Sequence, residues 1–270
     1  MCEKICIFAR FFDIMTTMNY IHPEAKLHPS VTVGAFSCIY DDVEIGEGTI
    51  IDNNVTIYSG VRIGKNCHIY AGAVIGGDPQ DLKYKGEKTY AIIGDNTTIR
   101  EFVTIHRGTA SKGKTVVGNH CLIMAYCHVA HDCLLHDHII MSNATQLAGE
   151  VVVDDWAIIG GGSLVHQFSH IGSHVMIQGG SKINKDVPPY IIAAREPISY
   201  CGINSVGLNR RGFTSEQITA IQDTYRMLFL SGLNMSQAVE KIMETLPASA
   251  ERDMIVEFVK NSPRGVVKGK

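Results

Sequence analysis

An aliphatic side chain recurs at every sixth position of this chain. Counted in sixes from Ile21 to Ile183, every position holds Ile, Leu, Val or Met except Asp81, Glu87 and Ser111. A period of six matches neither the 3.6-residue turn of an α-helix nor the two-residue alternation of a half-buried strand. It is typical of a left-handed parallel β-helix, in which short strands meet at tight corners and the aliphatic residues point inward.

The repeat also predicts which residues stack on one another. Three hexads make one triangular coil, so residues one full coil apart in the sequence should lie one strand spacing, about 4.8 Å, from each other. The place four after each aliphatic residue should be the second inward position, and it is usually small or β-branched. Examples are Cys127, Cys133, Thr145, Val151, Ala157 and Ser163.

The hexads are interrupted twice without losing phase. Residues 77–91 and 111–115 lack the aliphatic residue at their hexad positions and are predicted to be loops that project from corners of the coil. The first loop gathers three polar side chains, Gln80, Asp81 and Lys83. Since long loops on a rigid scaffold often carry function, we expect this loop to contribute to a binding site.

Three regions follow from these patterns. Residues 1–17 are an N-terminal extension, either a flexible arm or a misassigned start with translation beginning at Met15 or Met18. Residues 18–190 form the β-helix, which should end at the two prolines of 186–190 because proline cannot continue a hydrogen-bonded ladder. Residues 191–270 form a connector and a small α-helical C-terminal domain with three amphipathic helices, starting near Thr214, Ser236 and Ser249.

Composition excludes several classes of protein. The 24 Lys and Arg nearly balance the 27 Asp and Glu, and no basic block suggests nucleic acid. No apolar run is long enough for a membrane span. The eight cysteines are scattered singly, which favours reduced thiols in a cytoplasmic protein. The flat faces of such a coil need covering, and a closed homotrimer would cover one face of each subunit and create clefts for ligands.

His131 is the strongest candidate for chemistry. It lies two places after the aliphatic Val129, in a turn of the repeat, and imidazole can accept and return a proton near neutral pH. Asp132 could orient the ring. Gly149 lies one full coil further on, so its backbone N–H could meet an oxyanion beside the histidine, and Gln167 follows one coil beyond Gly149. This column supports acyl transfer without naming the acyl group.

The sequence also contains an ordered set of specific motifs. They are QDLKY from Gln80, VTIHRGT from Val103, HVAHDC from His128, HQF from His166, DVPPY from Asp186 and GLNRRGF from Gly207. In order and spacing this set resembles the UDP-N-acetylglucosamine O-acyltransferases of lipid A biosynthesis, from about residue 18 to the C-terminus. Other hexapeptide-repeat acyltransferases share the sixfold period but not these motifs.

The resemblance implies an activity, substrates and site residues. The expected reaction moves an (R)-3-hydroxyacyl chain from acyl carrier protein to the 3-hydroxyl of UDP-N-acetylglucosamine, with no cofactor and no metal. His131 would be the general base, Asp132 the carboxylate beside it and Gly149 the oxyanion donor. The implied substrate-binding positions are Gln80, Asp81, Lys83, His128, His166, Gln167, Gly179, Asn204, Arg210 and Arg211.

Within that set, the resemblance places Asn204, Arg210 and Arg211 at the nucleotide, and Gly179 where acyl length is gated. Two residues depart from the family pattern: Glu150 replaces a common histidine, and Val206 replaces an acidic residue near the nucleotide.

Four other functions fit parts of the sequence. A structural coil with scattered histidines is the simplest. The related N-acyltransferases carry a separate N-terminal uridine-binding domain, whereas here the hexads begin at Ile21. A coenzyme A-dependent acetyltransferase would not need the GLNRRGF motif. A zinc carbonic anhydrase would use neutral imidazoles as ligands, but the histidines have no strict ligand spacing.

Overall fold

The computed structural model describes residues 18–269 and divides into two compact units, the first ending at His138 and the second beginning at Ile139. The predicted N-terminal extension, residues 1–17 with the alternative start Met15, lies outside the described residues. The coil is a left-handed parallel β-helix followed by C-terminal helices, which confirms the predicted fold class.

In the described part of the first unit, short strands belong to three parallel sheets, and successive strands pass from one sheet to the next. These strands are β1 Tyr20–Ile21, β2 Lys26–Leu27, β3 Thr32–Val33, β4 Cys38–Ile39, β5 Glu44–Ile45, β6 Ile50–Ile51, β7 Thr56–Ile57, β8 Val61–Ile63, β9 His68–Ile69, β10 Val74–Gly77, β11 Tyr90–Ile93, β12 Thr98–Ile99, β13 Thr104–His106, β14 Lys114–Val117, β15 Leu122–Ile123, β16 His128–Val129 and β17 Leu134–Leu135.

Strand register in this unit follows the repeat. Ile39 pairs with Ile57, and Val117 pairs with Leu135, so paired residues are separated by one full coil of three hexads. The aliphatic positions from Ile39 to Leu135 are buried, and so are the second inward positions such as Cys127. The core of the coil is therefore a stack of the hexad residues, as the sequence predicts.

Both interruptions of the repeat preserve this register. Val61 pairs with Ala91 across the first interruption, and Ala91 pairs with Thr115 across the second. Both separations are whole numbers of hexads, so each interruption lengthens one coil without changing its phase. The chain between Gly77 and Tyr90 leaves the sheets, and so does the chain between His106 and Lys114.

The second unit continues with the same parallel pairing between residues one coil apart, for example Leu147 with Val165. Its strands are β18 Ile140–Met141, β19 Gln146–Leu147, β20 Val152–Val153, β21 Ile158–Ile159, β22 Leu164–Val165, β23 His170–Ile171, β24 Met176–Ile177, β25 Lys182–Ile183, β26 Ile191–Ala194 and β27 Ser199–Ile203. Sheet pairing continues past the two prolines, because β26 pairs in parallel with β24 and in antiparallel fashion with β27.

Four helices follow within the described residues: α1 Ser205–Arg210, α2 Ser215–Leu230, α3 Met235–Thr245 and α4 Ala250–Lys260. Thr214 caps α2 with a capping box, Asn234 does the same for α3, and the Ser249 side chain caps α4. The second long helix thus begins just before Ser236. The segment predicted as a plain connector holds β26, β27 and α1.

The helices pack on the end of the coil within this second unit. The Tyr225 hydroxyl of α2 donates a hydrogen bond to the Pro189 carbonyl oxygen at 2.6 Å, and the Phe258 ring of α4 lies 4.5 Å from the His170 ring. Tyr225 is fully buried, so the contact is part of a core. None of the helices among residues 18–269 is long and apolar enough to cross a membrane.

Candidate active site

His131 and Asp132 lie at a corner of the coil, directly after β16. Val129 points into the core, and the chain then turns with Asp132 in the left-handed region at φ 61°. Aspartate tolerates this conformation better than most residues. The turn buries both side chains, so that His131 is 7% exposed and Asp132 is 4% exposed.

The Asp132 carboxylate holds the His131 ring. Asp132 Oδ2 lies 2.9 Å from His131 Nδ1. A carboxylate can only accept, so Nδ1 carries the hydrogen, and Nε2 of the neutral ring carries the lone pair. The arrangement therefore presents a base at Nε2.

Three further groups fix Asp132, and sequence reasoning did not find them. The Thr109 hydroxyl donates to Oδ2 at 2.6 Å, and the Thr109 and Lys112 backbone N–H groups donate to Oδ1 at 2.9 and 3.3 Å. In turn, Asp132 N–H donates to the Thr115 hydroxyl at 2.8 Å. The chain between His106 and Lys114, which is where the structure places the second interruption, thus anchors the carboxylate and has a role in the site.

The first loop brings a second carboxylate to the histidine. Asp81 Oδ2 lies 3.9 Å from His131 Nε2, too far for a hydrogen bond. A carboxylate at that distance stabilises the imidazolium that forms when Nε2 takes up a proton. Lys83 and Gln80 are exposed on the same loop, and the Lys83 backbone N–H donates to Asp81 Oδ1 at 2.9 Å.

Two other histidines lie close to His131 and are neutral. Burial, and then the nearby His131, lowers the pKa of His128, whose Nδ1 lies 2.7 Å from the Thr104 hydroxyl. Burial, with His128 and His131, lowers the pKa of His106 to about 4. The His106 and His128 rings meet edge to face at 4.7 Å. These neutral rings add no positive charge that would oppose protonation of His131.

In the second unit, the structure brings His166 and Gln167 together with a residue not predicted from the sequence. The Arg264 guanidinium donates to the Gln167 carbonyl oxygen at 3.1 Å and approaches His166 Nδ1 at 3.2 Å. His166 is exposed, so the rest of its ring is accessible.

Two glycines of the second unit, Gly149 and Gly179, lie close to the backbone of a neighbouring coil. The Gly149 carbonyl oxygen accepts a hydrogen bond from Phe168 N–H at 3.2 Å, and Glu150 follows with φ 58°. Gly179 is exposed, and a Cβ there would lie 3.0 Å from the Gly161 carbonyl oxygen. A side chain at Gly179 would therefore crowd the neighbouring coil.

The residues predicted to meet the nucleotide have structural partners. Asn204 caps α1 by accepting from Gly207 N–H at 3.2 Å, and its amide donates to the His174 carbonyl oxygen at 2.9 Å. Arg211 donates to the Trp156 carbonyl oxygen at 3.2 Å and lies over the Trp156 ring. Arg210 is exposed.

An aromatic cluster surrounds this region. The His174 ring is stacked between Trp156 and Tyr190. Burial, and then the charge of Arg211, lowers the pKa of His174 to about 4. Val206 is exposed and apolar.

A metal site receives no support from the geometry. Among the described residues, no three His, Cys, Asp or Glu side chains are arranged so that they could hold an ion. His106, His128 and His131 lie together, but Nδ1 of two of them faces Asp132 or Thr104.

Comparisons with known proteins agree with the geometry. Residues 186–267 match a family model described as UDP-N-acetylglucosamine O-acyltransferase, domain 2, and residues 24–58 and 42–77 match bacterial transferase hexapeptide repeats. The acyl-[acyl-carrier-protein]–UDP-N-acetylglucosamine O-acyltransferase of Burkholderia lata is 45% identical over 199 residues, which cover 72% of this chain and 76% of that relative.

Solved structures are similar over most of the chain. A UDP-N-acetylglucosamine acyltransferase from Bacteroides fragilis 9343 has 52% identity and a TM-score of 0.92, covering 93% of this chain and 99% of its own. The Arabidopsis UDP-N-acetylglucosamine acyltransferase has 33% identity and a TM-score of 0.78, covering 92% of this chain and all (100%) of its own.

Proposed function

Because the chain belongs to the UDP-N-acetylglucosamine O-acyltransferase family, we propose that it transfers an (R)-3-hydroxyacyl chain from acyl carrier protein to the 3-hydroxyl of UDP-N-acetylglucosamine, the first step of lipid A biosynthesis. The observation that carries the mechanism is the pair of His131 and Asp132, joined at 2.9 Å through Nδ1. This contact leaves Nε2 as the base.

The proton path follows from that tautomer. His131 Nε2 takes the proton of the sugar hydroxyl while the oxygen attacks the thioester carbonyl of the acyl donor. The new C–O bond forms, the carbonyl becomes an oxyanion, and the C–S bond then breaks. The imidazolium returns its proton to the leaving sulfur, so the products are the O-acylated sugar nucleotide and the free thiol of the carrier protein. No covalent acyl-enzyme forms.

Charges around His131 favour this cycle. Asp132 and Asp81 both lie near the ring and stabilise the transient imidazolium. The lowered pKa values of His106 and His128 keep those rings uncharged, so His128 can hydrogen-bond a substrate without competing for the proton. Gly149 N–H is the proposed oxyanion donor, supported by its place three hexads, or one full coil, after His131 in the sequence.

The remaining residues are proposed to bind substrate. Gln80, Asp81, Lys83, His128, His166 and Gln167 would contact the sugar and acyl groups, and Gly179 would leave room for a long acyl chain. Arg210 is the exposed cation proposed for the nucleotide phosphates, because guanidinium pairs well with phosphate. Asn204 caps α1 and Arg211 contacts Trp156, so both would form part of the wall of the nucleotide site. Val206, which is exposed, offers no acidic group at that end.

The pattern of the chain also supports an oligomeric state and a cellular location. We infer a homotrimer, because the triangular coil presents flat faces that need covering and a closed threefold arrangement covers one face of each subunit. We infer a cytoplasmic enzyme, since the eight cysteines are scattered singly and the proposed substrates are a sugar nucleotide and a carrier protein. No cofactor is required by the proton path.

The reaction is tested with purified protein, UDP-N-acetylglucosamine and 3-hydroxyacyl carrier proteins of several chain lengths. We expect a single ester at the 3-hydroxyl, with activity unchanged by a chelator. Acetyl-coenzyme A should be a poor donor.

Two outcomes would overturn the proposal. Preference for acetyl-coenzyme A would indicate a general acetyltransferase. Absence of transfer with every carrier protein, together with chelator-sensitive hydration of carbon dioxide, would indicate the zinc enzyme instead.

A further inference from the structure

We propose that Arg264 is a positioning residue that holds His166 as the tautomer with its hydrogen on Nε2. The proposal concerns the substrate-binding role of His166 and rests on the proposed function. Neither the repeat nor the motifs of the sequence point to Arg264, which lies 98 residues after His166.

The C-terminal segment places Arg264 against β22 and β25 through regular backbone contacts. After α4, a turn closes with Gly265 N–H donating to the Ser262 carbonyl oxygen at 3.0 Å. The chain then forms a parallel bridge between Val266 and Asp186, with Val267 N–H donating to the Asp186 carbonyl oxygen at 2.9 Å. Asp186 and Val266 are both buried, so the arginine is held by a fixed backbone.

The guanidinium reaches three acceptors from this position. Nη1 donates to the Gln167 carbonyl oxygen at 3.1 Å, and Nη2 donates to the Asn184 carbonyl oxygen at 3.3 Å and faces His166 Nδ1 at 3.2 Å. Guanidinium has donors only, so the nitrogen that faces it must carry the lone pair. His166 is then neutral with its hydrogen on Nε2.

A competing contact makes this a choice between two tautomers. His166 Nδ1 also lies 2.9 Å from the Gln167 carbonyl oxygen, to which an Nδ1 hydrogen could donate. Arg264 already donates to that oxygen and also offers a hydrogen to Nδ1. The guanidinium therefore favours the Nε2–H form because it points a donor at Nδ1, although the Gln167 carbonyl oxygen still has a second lone pair. Without Arg264 that donor to Nδ1 is lost, and the hydrogen bond from Nδ1–H to the Gln167 carbonyl oxygen favours the other tautomer.

The tautomer decides what His166 offers to a ligand. With the hydrogen on Nε2, the exposed edge of the ring is a hydrogen-bond donor, suited to an oxygen acceptor such as a sugar, carbonyl or phosphate oxygen. With the hydrogen on Nδ1, the same edge would be an acceptor. Arg264 thus decides whether His166 donates or accepts a hydrogen bond with the substrate, without contacting the substrate itself.

The tautomer can be measured directly by nitrogen NMR on the full-length protein labelled with ¹⁵N-histidine, with His166→Gln used to assign the signal. We expect Nε2–H in the unaltered protein, Nδ1–H in Arg264→Met, and Nε2–H again in Arg264→Lys, because lysine is also a pure donor. Arg226→Met, on the exposed face of α2, is the matched control and should leave the signal unchanged.

Kinetics give a second readout. Arg264→Met should raise the KM for UDP-N-acetylglucosamine about tenfold with little change in kcat, since one substrate hydrogen bond is lost. Thermal unfolding of each variant separates this effect from loss of the fold. If the His166 tautomer is the same in Arg264→Met as in the unaltered protein, the inference about Arg264 is wrong. The proposed function would still stand in that case, as long as the unaltered protein transfers the acyl chain. Absence of transfer by the unaltered protein would overturn the function and not the tautomer result.

Discussion

Replacing Asp132 by asparagine should remove catalysis while preserving the shape of the site. Backbone N–H groups of Thr109 and Lys112 donate to Oδ1, so the amide oxygen of the new side chain keeps that place. The amide nitrogen must then occupy the position of Oδ2, 2.9 Å from His131 Nδ1. It donates to Nδ1, moves the ring hydrogen to Nε2, and leaves no base facing the substrate.

The size of the loss follows from the same geometry. The Asp132 side chain has 0% exposure, so its contact with the imidazolium is poorly screened. At an effective dielectric constant of about 20, unit charges about 3 Å apart interact by roughly 5 kcal/mol. Loss of that stabilisation in the transition state corresponds to about 10³ to 10⁴-fold in kcat.

The assay is steady-state transfer of a 3-hydroxyacyl chain to UDP-N-acetylglucosamine by Asp132→Asn, with Asp137→Asn as the control for the substitution itself. Asp137 lies in the turn after β17 and contacts Asn119. We expect the control to stay within a few-fold of the unaltered protein. A kcat for Asp132→Asn within tenfold of the unaltered protein would refute the assignment of the tautomer and with it the role of the pair.

Three further predictions follow. Thr109→Val removes the hydroxyl donor to Asp132 but leaves the backbone donor, so kcat should fall about tenfold or less, as measured in the same assay. Burial lowers the pKa of His106 and of His174 to about 4, so the unfolded chain binds more protons than the folded chain between pH 6.5 and pH 4. Stability to urea should therefore fall as pH falls through that range, by about 3 kcal/mol for each histidine, and His106→Gln should flatten the dependence. Gly179→Met should shift the preferred acyl donor to shorter chains, because Gly179 is exposed at the proposed acyl site and the new side chain would take up space there. Thermal unfolding separates this effect from crowding of the Gly161 carbonyl oxygen, 3.0 Å from the added Cβ, and unchanged chain-length preference would remove Gly179 from the acyl site.

The sixfold period predicts the coil because the period is itself the structural constraint. Each hexad residue must point inward for the coil to close, so positions such as Ile57 and Val117 could be assigned without any structure. The two interruptions keep phase, so the rule of one inward aliphatic residue in every six positions still holds beyond each loop. The pairing of Ala91 with Thr115, across the second interruption and a whole number of hexads away, shows this rule in the structure.

The support of the catalytic pair could not be predicted in the same way. Thr109 lies 23 residues before Asp132, and the loop between them breaks the spacing that would have aligned them. Arg264 and His166 are joined through the path of the C-terminal segment, which follows no repeat. Asn204 stays a predicted nucleotide residue, and its side chain also caps a short helix that the sequence did not reveal. Contacts between different kinds of element depend on backbone paths, not on periodicity.

The role of His131 as the base is tested by comparing His131→Ala with His136→Ala in single-turnover acyl transfer. His136 is an exposed histidine in the next hexad. Both variants therefore remove one imidazole, and they differ only in its position. We predict that His136→Ala transfers at the rate of the unaltered protein and that His131→Ala, still folded, loses at least about 10³-fold. Transfer by His131→Ala at a rate close to that of His136→Ala would contradict the central claim that His131 is the base.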